Sequence, residues 1–463
     1  MDLGGYGMKL HYLASASVVV ETGSTKVLCD PWLLDGAFHG AWNHYPPLEF
    51  SPEEYAHVDY VYLSRDHPGR FHRPTVERLS DDTRVIVHAD AADRLSRDVR
   101  RLGLDLVELP DADRTRLTDD LDVELVSADT DAPADVPDAG GRRSTPASPW
   151  RADGAGSPAA ATQLAVFDDG DHVLVNASAC RWPSAEDACD HVAETYGDID
   201  GVVTPYASAD PHPQCRLDYA YDRKLAARDE AVRYMYAGAE AFVGALEPDY
   251  FFPVADQYAL AGPLASIDKH VALRTRNEAF WHFAGSPSIE PANSLPVVIN
   301  RQEHFDLTTG EPSANFTPID PDSRREYVQT ELANRSLAYQ SDERPTLTEF
   351  RGLLPDAYEN LEAERAEMEW ESETTVLIDL VANTAVAVSM SGEGYELVDQ
   401  DPEAVVTPPF LHLSMDPRLL RRVLSGSWSA RFSDAWLGSH VRFAREPDLR
   451  EPDLDRALDA YHA

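Results

Sequence analysis

The sequence predicts an α/β protein followed by a smaller α+β unit, and three observations carry that prediction. Short apolar runs alternate with turn signals and helical stretches over the first 110 residues. A long helix with apolar residues near every third or fourth position runs over 221–246 and is followed by a further strand, YFFPVA. After about residue 345 the character changes to a helix, two strands joined by a short turn, and another helix.

Taken in order, SVVVE (17–21) and KVLCD (26–30) flank TGST and read as a β-hairpin. VDYVYLS (58–64) is a third strand that ends where polar residues begin. PTVERLSDD (74–82) reads as a short helix and TRVIVHAD as a strand. Residues 96–108 read as a helix and then a strand, and DVELVSA (122–128) as another strand. Residues 129–161 turn to Ala, Asp, Pro, Gly and Ser without periodicity, the composition expected of a mobile surface insertion. Strand signals resume at QLAVFDD and HVLVNAS. Residues 271–344 are irregular and proline-bearing, and are expected to complete the first unit, 1–270. The second unit, 345–463, holds a helical stretch at 357–368, the strands TTVLIDLV and TAVAVSM, and a helix at 416–426.

Charge sets the second constraint. There are 81 acidic residues against 40 basic ones, a formal net charge of −41, and only four lysines: Lys9, Lys26, Lys224 and Lys269. Such self-repulsion strains a compact state at low ionic strength. Molar salt shortens the Debye length to about 3 Å and screens it. The composition is therefore the adaptation expected in a salt-filled cytoplasm, and it disfavours non-specific nucleic-acid binding. Cys29, Cys180, Cys189 and Cys215 form no Cys-x-x-Cys pair and are expected to be reduced, buried thiols. The first 21 residues have no export-type pattern, and no window approaches about 18 uninterrupted apolar residues. A cytoplasmic protein without a membrane span is expected; the oligomeric state is left open.

The stretch with chemical content is Tyr62-Leu63-Ser64-Arg65-Asp66-His67-Pro68-Gly69-Arg70-Phe71-His72, between a strand and a helix. It resembles the Ser-His-x-His-x-Asp-His loop of the metallo-β-lactamase superfamily. His11 to Ser17 before an apolar strand, then Leu28-Cys29-Asp30-Pro31-Trp32, resembles that superfamily's opening hairpin. Val173 to Asn176, Pro205 to Ala209, Phe252 to Ala255, and Met415-Asp416-Pro417 through Arg445-Glu446-Pro447-Asp448 follow in the right order. The likeness is to the branch containing the CMP-sialic acid hydroxylases and related hydrolases. It implies a four-layer αββα sandwich with a smaller C-terminal α+β domain. The paired Cys and His ligands of a Rieske centre are absent from the sequence.

Against the family pattern, Arg65 stands at the first His position, Gly69 at the Asp position and Arg70 at the last His position; His67 is retained. The later bridging Asp is matched by Ala179. A guanidinium has no acceptor lone pair and cannot ligate a cation, so no metal ligand is assigned and no cofactor is expected. A single divalent metal held by a rearranged set drawn from Asp30, Asp66, His67, His72, His212 and Asp256 is the alternative. Arginines at these positions suit an oxyanion through bidentate hydrogen bonds; equally, they can pair with Asp66 or nearby acids and plug the site. The expected site is Asp66 and His67 as catalytic groups, with Arg65, Arg70, Asp30, Trp32 and His72 contacting substrate.

Three functions remain open at this level. The first is modification or binding of a small anionic sugar (phosphorylated, nucleotide-linked or sulfated) in surface-glycan biosynthesis. The second is a metal-dependent hydrolase with a rearranged mononuclear site. The third is a non-catalytic binding or scaffold protein on the same fold.

Overall fold

The computed structural model describes residues 7–90, 93–128, 162–207, 209–254, 257–399, 407–427 and 430–463. The insertion expected at 129–161 lies outside the described residues. Strands come first from alternation. In Ser17–Thr22, Val18 and Val20 face one core while Val19 faces another. Both faces are covered, which is why the run is apolar throughout.

Two mixed sheets form. The first has eight strands, with Lys9–Ala14, Ser17–Thr22, Thr25–Cys29, Tyr60–Tyr62, Arg84–His88 and Asp105–Leu109 adjacent in that order. The second has seven, running from Leu295–Pro296 through Tyr250–Val254, Gly201–Pro205, Val173–Asn176, Gln163–Asp168 and Leu121–Ser127 to Thr115–Thr118. Between them lies a shared core in which Leu10, Val20, Val27, Tyr62 and Ile86 meet Leu125, Phe167, Leu174, Val203 and Phe252. The outer face of the first sheet carries Asp93–Arg101, through Leu95 and Val99. That of the second carries Glu186–Tyr196 and Tyr221–Leu246, through Val192, Phe242 and Val243. The architecture is a four-layer αββα sandwich, as the resemblance implies.

The irregular region 271–344 supplies short strands to both sheets. Leu295–Pro296 extends the second beside Tyr250–Val254. Glu303–Asp306 pairs antiparallel with Lys9–Ala14 in the first. These strands have two and four residues, too few for a periodic signal.

After Leu347–Glu367, a helix that starts ten residues earlier than the apolar pattern indicates, a third sheet of five strands forms from Thr375–Asp379, Thr384–Ser389, Tyr395–Asp399, Phe410–Ser414 and Arg442–Glu446. Its core is continuous with the sandwich: Leu354, Leu413 and Phe443 belong to one cluster with Trp32, Phe38, Trp42 and Tyr258. The loop after Ala209 pairs with its last strand, where Phe443 N donates to Cys215 O at 3.0 Å and Leu217 N donates to Phe443 O at 2.7 Å. This third sheet thus closes over one end of the sandwich. No helix among the described residues is long and apolar enough to cross a membrane.

Candidate functional site

Parallel pairing brings the informative loops to one rim. Thr25–Cys29 runs parallel to Tyr60–Tyr62, with Cys29 opposite Tyr62. Asp30 and Ser64 therefore emerge side by side. Ser178 emerges just beyond Val173–Asn176 of the facing sheet. Asp30 N donates to Tyr62 O at 2.9 Å, and Ser17 Oγ donates to Asp30 O at 2.7 Å. The backbone at Asp30 is left-handed, φ 48°. Aspartate tolerates that region better than most residues.

Asp30 is fully buried and its carboxylate organises the centre. Ser64 donates twice, from N to Oδ1 and from Oγ to Oδ2, each at 2.8 Å. Arg70, 1% exposed, donates from Nη1 to Asp30 Oδ2 at 3.0 Å and to Ser178 Oγ at 3.0 Å. Its Nη2 donates to Ser178 O at 2.8 Å. The guanidinium thus spans from one sheet to the other, beside Ala179. A buried ion pair needs further hydrogen bonds to its partners; Ser64 supplies them to Asp30 and Ser178 to the two Nη atoms of Arg70.

The other expected site residues take distinct places. Trp32 is fully buried; its indole N–H donates to Leu34 O at 2.7 Å and its ring lies against His44. His72 is buried at the start of the helix Arg73–Val76, with Nδ1 2.9 Å from Thr75 Oγ1. Burial, with His44 and Arg78 nearby, pushes its imidazole down to about 3. His67 is buried against Phe38 and Trp42, and its Nδ1 accepts from Gly69 N at 3.0 Å. Asp66 reaches the C-terminal unit, where its carboxylate lies 3.3 Å from Arg431 Nη1. Against burial, which lowers it, Asp434 and Asp66 hold the Arg431 guanidinium above its ordinary value. Arg65 is partly buried. These five are thus spread over core, helix cap and the contact with Arg431.

Among the described residues, no three His, Cys, Asp or Glu side chains come together as a metal-binding group. His212 is buried edge-on to Tyr219, and Asp256 lies outside the described residues. All four cysteines are buried and free. Burial pushes the Cys180 thiol up to about 12, against the opposing pull of Arg65 and Arg70.

Among the described residues, open space lies beside the opening strand. A cavity of about 370 Å³ is lined by Tyr12, Arg276, Arg301, Gln302 and Phe316. It shares Tyr45, Gln257 and Ile319 with a neighbouring cavity of about 940 Å³. Gln257 ties both to the strand ends, its N donating to Ser15 Oγ at 3.1 Å and its side chain to the Tyr206 hydroxyl. Sequence reasoning passed over Ser178, Arg431, Arg276 and Arg301. Ser178 adjoins the position matched to the bridging Asp and was within reach. The other three carry no local signal.

No protein-family model matches the chain. Among curated proteins it is similar to the cytidine monophosphate-N-acetylneuraminic acid hydroxylase of Xenopus laevis, 31% identical over 81 residues. That match covers 17% of this chain and 14% of the relative, so the chain spans about a seventh of that protein's length. Similar solved structures include a metallo hydrolase from Ignicoccus hospitalis (12% identity, 67% of this chain and 99% of that one, TM-score 0.37). Another is the isothiocyanate hydrolase from Delia radicum gut bacteria (14% identity, 64% and 98%, TM-score 0.41).

Proposed function

We propose that this chain is a salt-adapted, cytoplasmic protein that binds or modifies a small anionic sugar, on a metallo-β-lactamase-type sandwich whose motif centre holds an ion pair in place of a metal. The observation that carries this reading is the insertion of Arg70 between Asp30 and Ser178. The donor set there does not suit a divalent ion. A guanidinium has no lone pair to give, and both Asp30 oxygens already accept from Ser64 or Arg70. Of the two roles open to the arginines, this geometry favours the plug at Arg70. The anionic sugar as ligand is supported by the partial match to a hydroxylase whose name specifies a nucleotide-linked sugar acid. A place in surface-glycan biosynthesis extends that reading. Salt adaptation and the cytoplasm rest on the −41 charge, the four lysines and the four free thiols.

Elemental analysis of protein purified in high salt without chelator tests the reading. Zinc, manganese and iron are expected well below one equivalent per chain. One equivalent of any of them, lost on Asp30→Asn or His67→Gln, would make the chain a metal-dependent hydrolase with a rearranged site.

A further inference from the structure

We infer that Arg276 and Arg301 form the seat for the oxyanion group of the ligand, in the 370 Å³ cavity between the opening strand and the loop after Leu295–Pro296. The inference rests on the anionic-ligand reading above and gives it a place outside the motif loop.

Arg276 is 4% exposed. Its guanidinium stacks 3.6 Å over the Tyr12 ring, and Nη1 donates to Ile299 O at 2.8 Å. Its Nε is buried with no hydrogen-bond partner among the described residues. Arg301, partly buried beside it, donates to main-chain oxygens: Nη1 to Pro46 O and Pro47 O, and Nη2 to Tyr45 O. Burial lowers the Arg301 guanidinium, as does the neighbouring Arg276 charge, against the opposing pull of Tyr12 and Asp35. Neither makes an ion pair among the described residues. Elsewhere the protein's buried arginines find carboxylates: Arg70 with Asp30, Arg216 with Asp218 and Asp448, Arg365 with Glu362.

A buried and a partly buried cation side by side, neither in an ion pair among the described residues, are costly, and the cost is conspicuous in a chain with two acids for every base. A bound oxyanion supplies the missing charge, through charge-assisted hydrogen bonds from planar guanidinium donors. Glu49 and Asp320 also border the cavity; they oppose an anion near their edge and place its preferred seat on the arginine side. Around the arginines, Asn300, Gln302 and Gln257 offer amides, and Tyr12 and Phe316 offer ring faces. That mixture suits a hydroxyl-bearing body attached to a charged group.

The test is calorimetric titration of the full chain at fixed potassium chloride concentration with inorganic phosphate, glucose 1-phosphate, UDP-glucose, sulfate and neutral glucose. Phosphate-bearing probes are expected to bind and glucose alone is not. Arg301→Gln and Arg276→Lys, each checked for an unchanged circular dichroism spectrum and melting temperature, are expected to weaken binding by about tenfold or more. Arg65→Ala tests the motif loop in the same titration. If the probes bind equally well to both folded variants, or Arg65→Ala alone abolishes binding, the seat lies elsewhere and the anionic-ligand reading survives. If no anionic probe binds the parent protein, that reading falls, and the seat with it. Should Arg276→Lys fail to fold, Arg301→Gln decides.

Discussion

Arg70 and Arg276 are both buried arginines at one rim of the sandwich, and they are compensated in opposite ways. Arg70 has a carboxylate at 3.0 Å, and Ser178 accepts from both of its Nη atoms. Arg276 has one carbonyl, a tyrosine face and an open cavity. The first has its counter-charge within the chain; the second gains one when an anion enters. Residue type alone does not separate a plug from a binding group, since the surrounding acceptors decide it.

The comparison breaks first at Arg70. Arg70→Met leaves Asp30 buried without its partner and is expected to destabilise the fold by about 3–5 kcal/mol. The paired change Arg70→Met with Asp30→Leu is expected to recover part of that loss, as denaturant titration in high salt would measure. Arg276→Met is expected to stay within about 1 kcal/mol of the parent, because it removes an uncompensated buried charge along with a ring contact. A loss at Arg276 as large as at Arg70 would erase the distinction between the two regions.

A smaller effect is expected from pH. His72 beside the plug and His440 against Phe38 O are both pushed down by burial to about 3, from 6.5. Their folded values lie below the unfolded ones, so the unfolded state binds more protons across that window. Their contribution is complete above about pH 6.5 and declines as the pH falls, by about 1.4 kcal/mol per pH unit for each histidine. Asp459 acts in the opposite sense: burial raises it to about 6 from 3.8, so its penalty is relieved by acid between those values. With two histidines against one aspartate, a net loss of stability is expected from pH 6 to 4. His72→Gln should flatten the slope; an unchanged slope would mean that this side of the rim is not sealed from protons.

The smallest effect concerns the tie between the motif loop and the C-terminal unit. Asp66→Asn removes a partly exposed ion pair with Arg431 and is expected to cost about 1 kcal/mol or less. A larger cost would shift weight from the Asp30 centre to this contact.

Much of the fold was legible in sequence because it is written in local periodicity. The helix 221–246 is found at the expected residues, and the hairpin and the strands at 60, 84, 122, 163 and 173 form where alternation placed them. The five-stranded sheet was only partly visible. Phe410–Ser414 and Arg442–Glu446 pair with elements far away in the chain, and their short runs carry no mark of that partnership. The unit drawn at 345–463 shares one hydrophobic core with Trp32, Trp42 and Tyr258. Composition shifts can mark where elements change, but not whether the cores on either side merge.

The candidate site divides in the same way. The position of the motif loop, the arginines within it and the lack of a complete imidazole set are properties of the chain read in order. Which acceptors those arginines meet is not. Ser178 lies 108 residues from Arg70, and Arg301 lies 25 residues from Arg276 across a turn of irregular chain. By itself the sequence determined the charge balance, the alternation of strands and helices, and the presence of cations where the superfamily pattern has imidazoles. Only the tertiary structure decided that one cation is neutralised internally and two others are not, because compensation of a buried charge depends on neighbours in space.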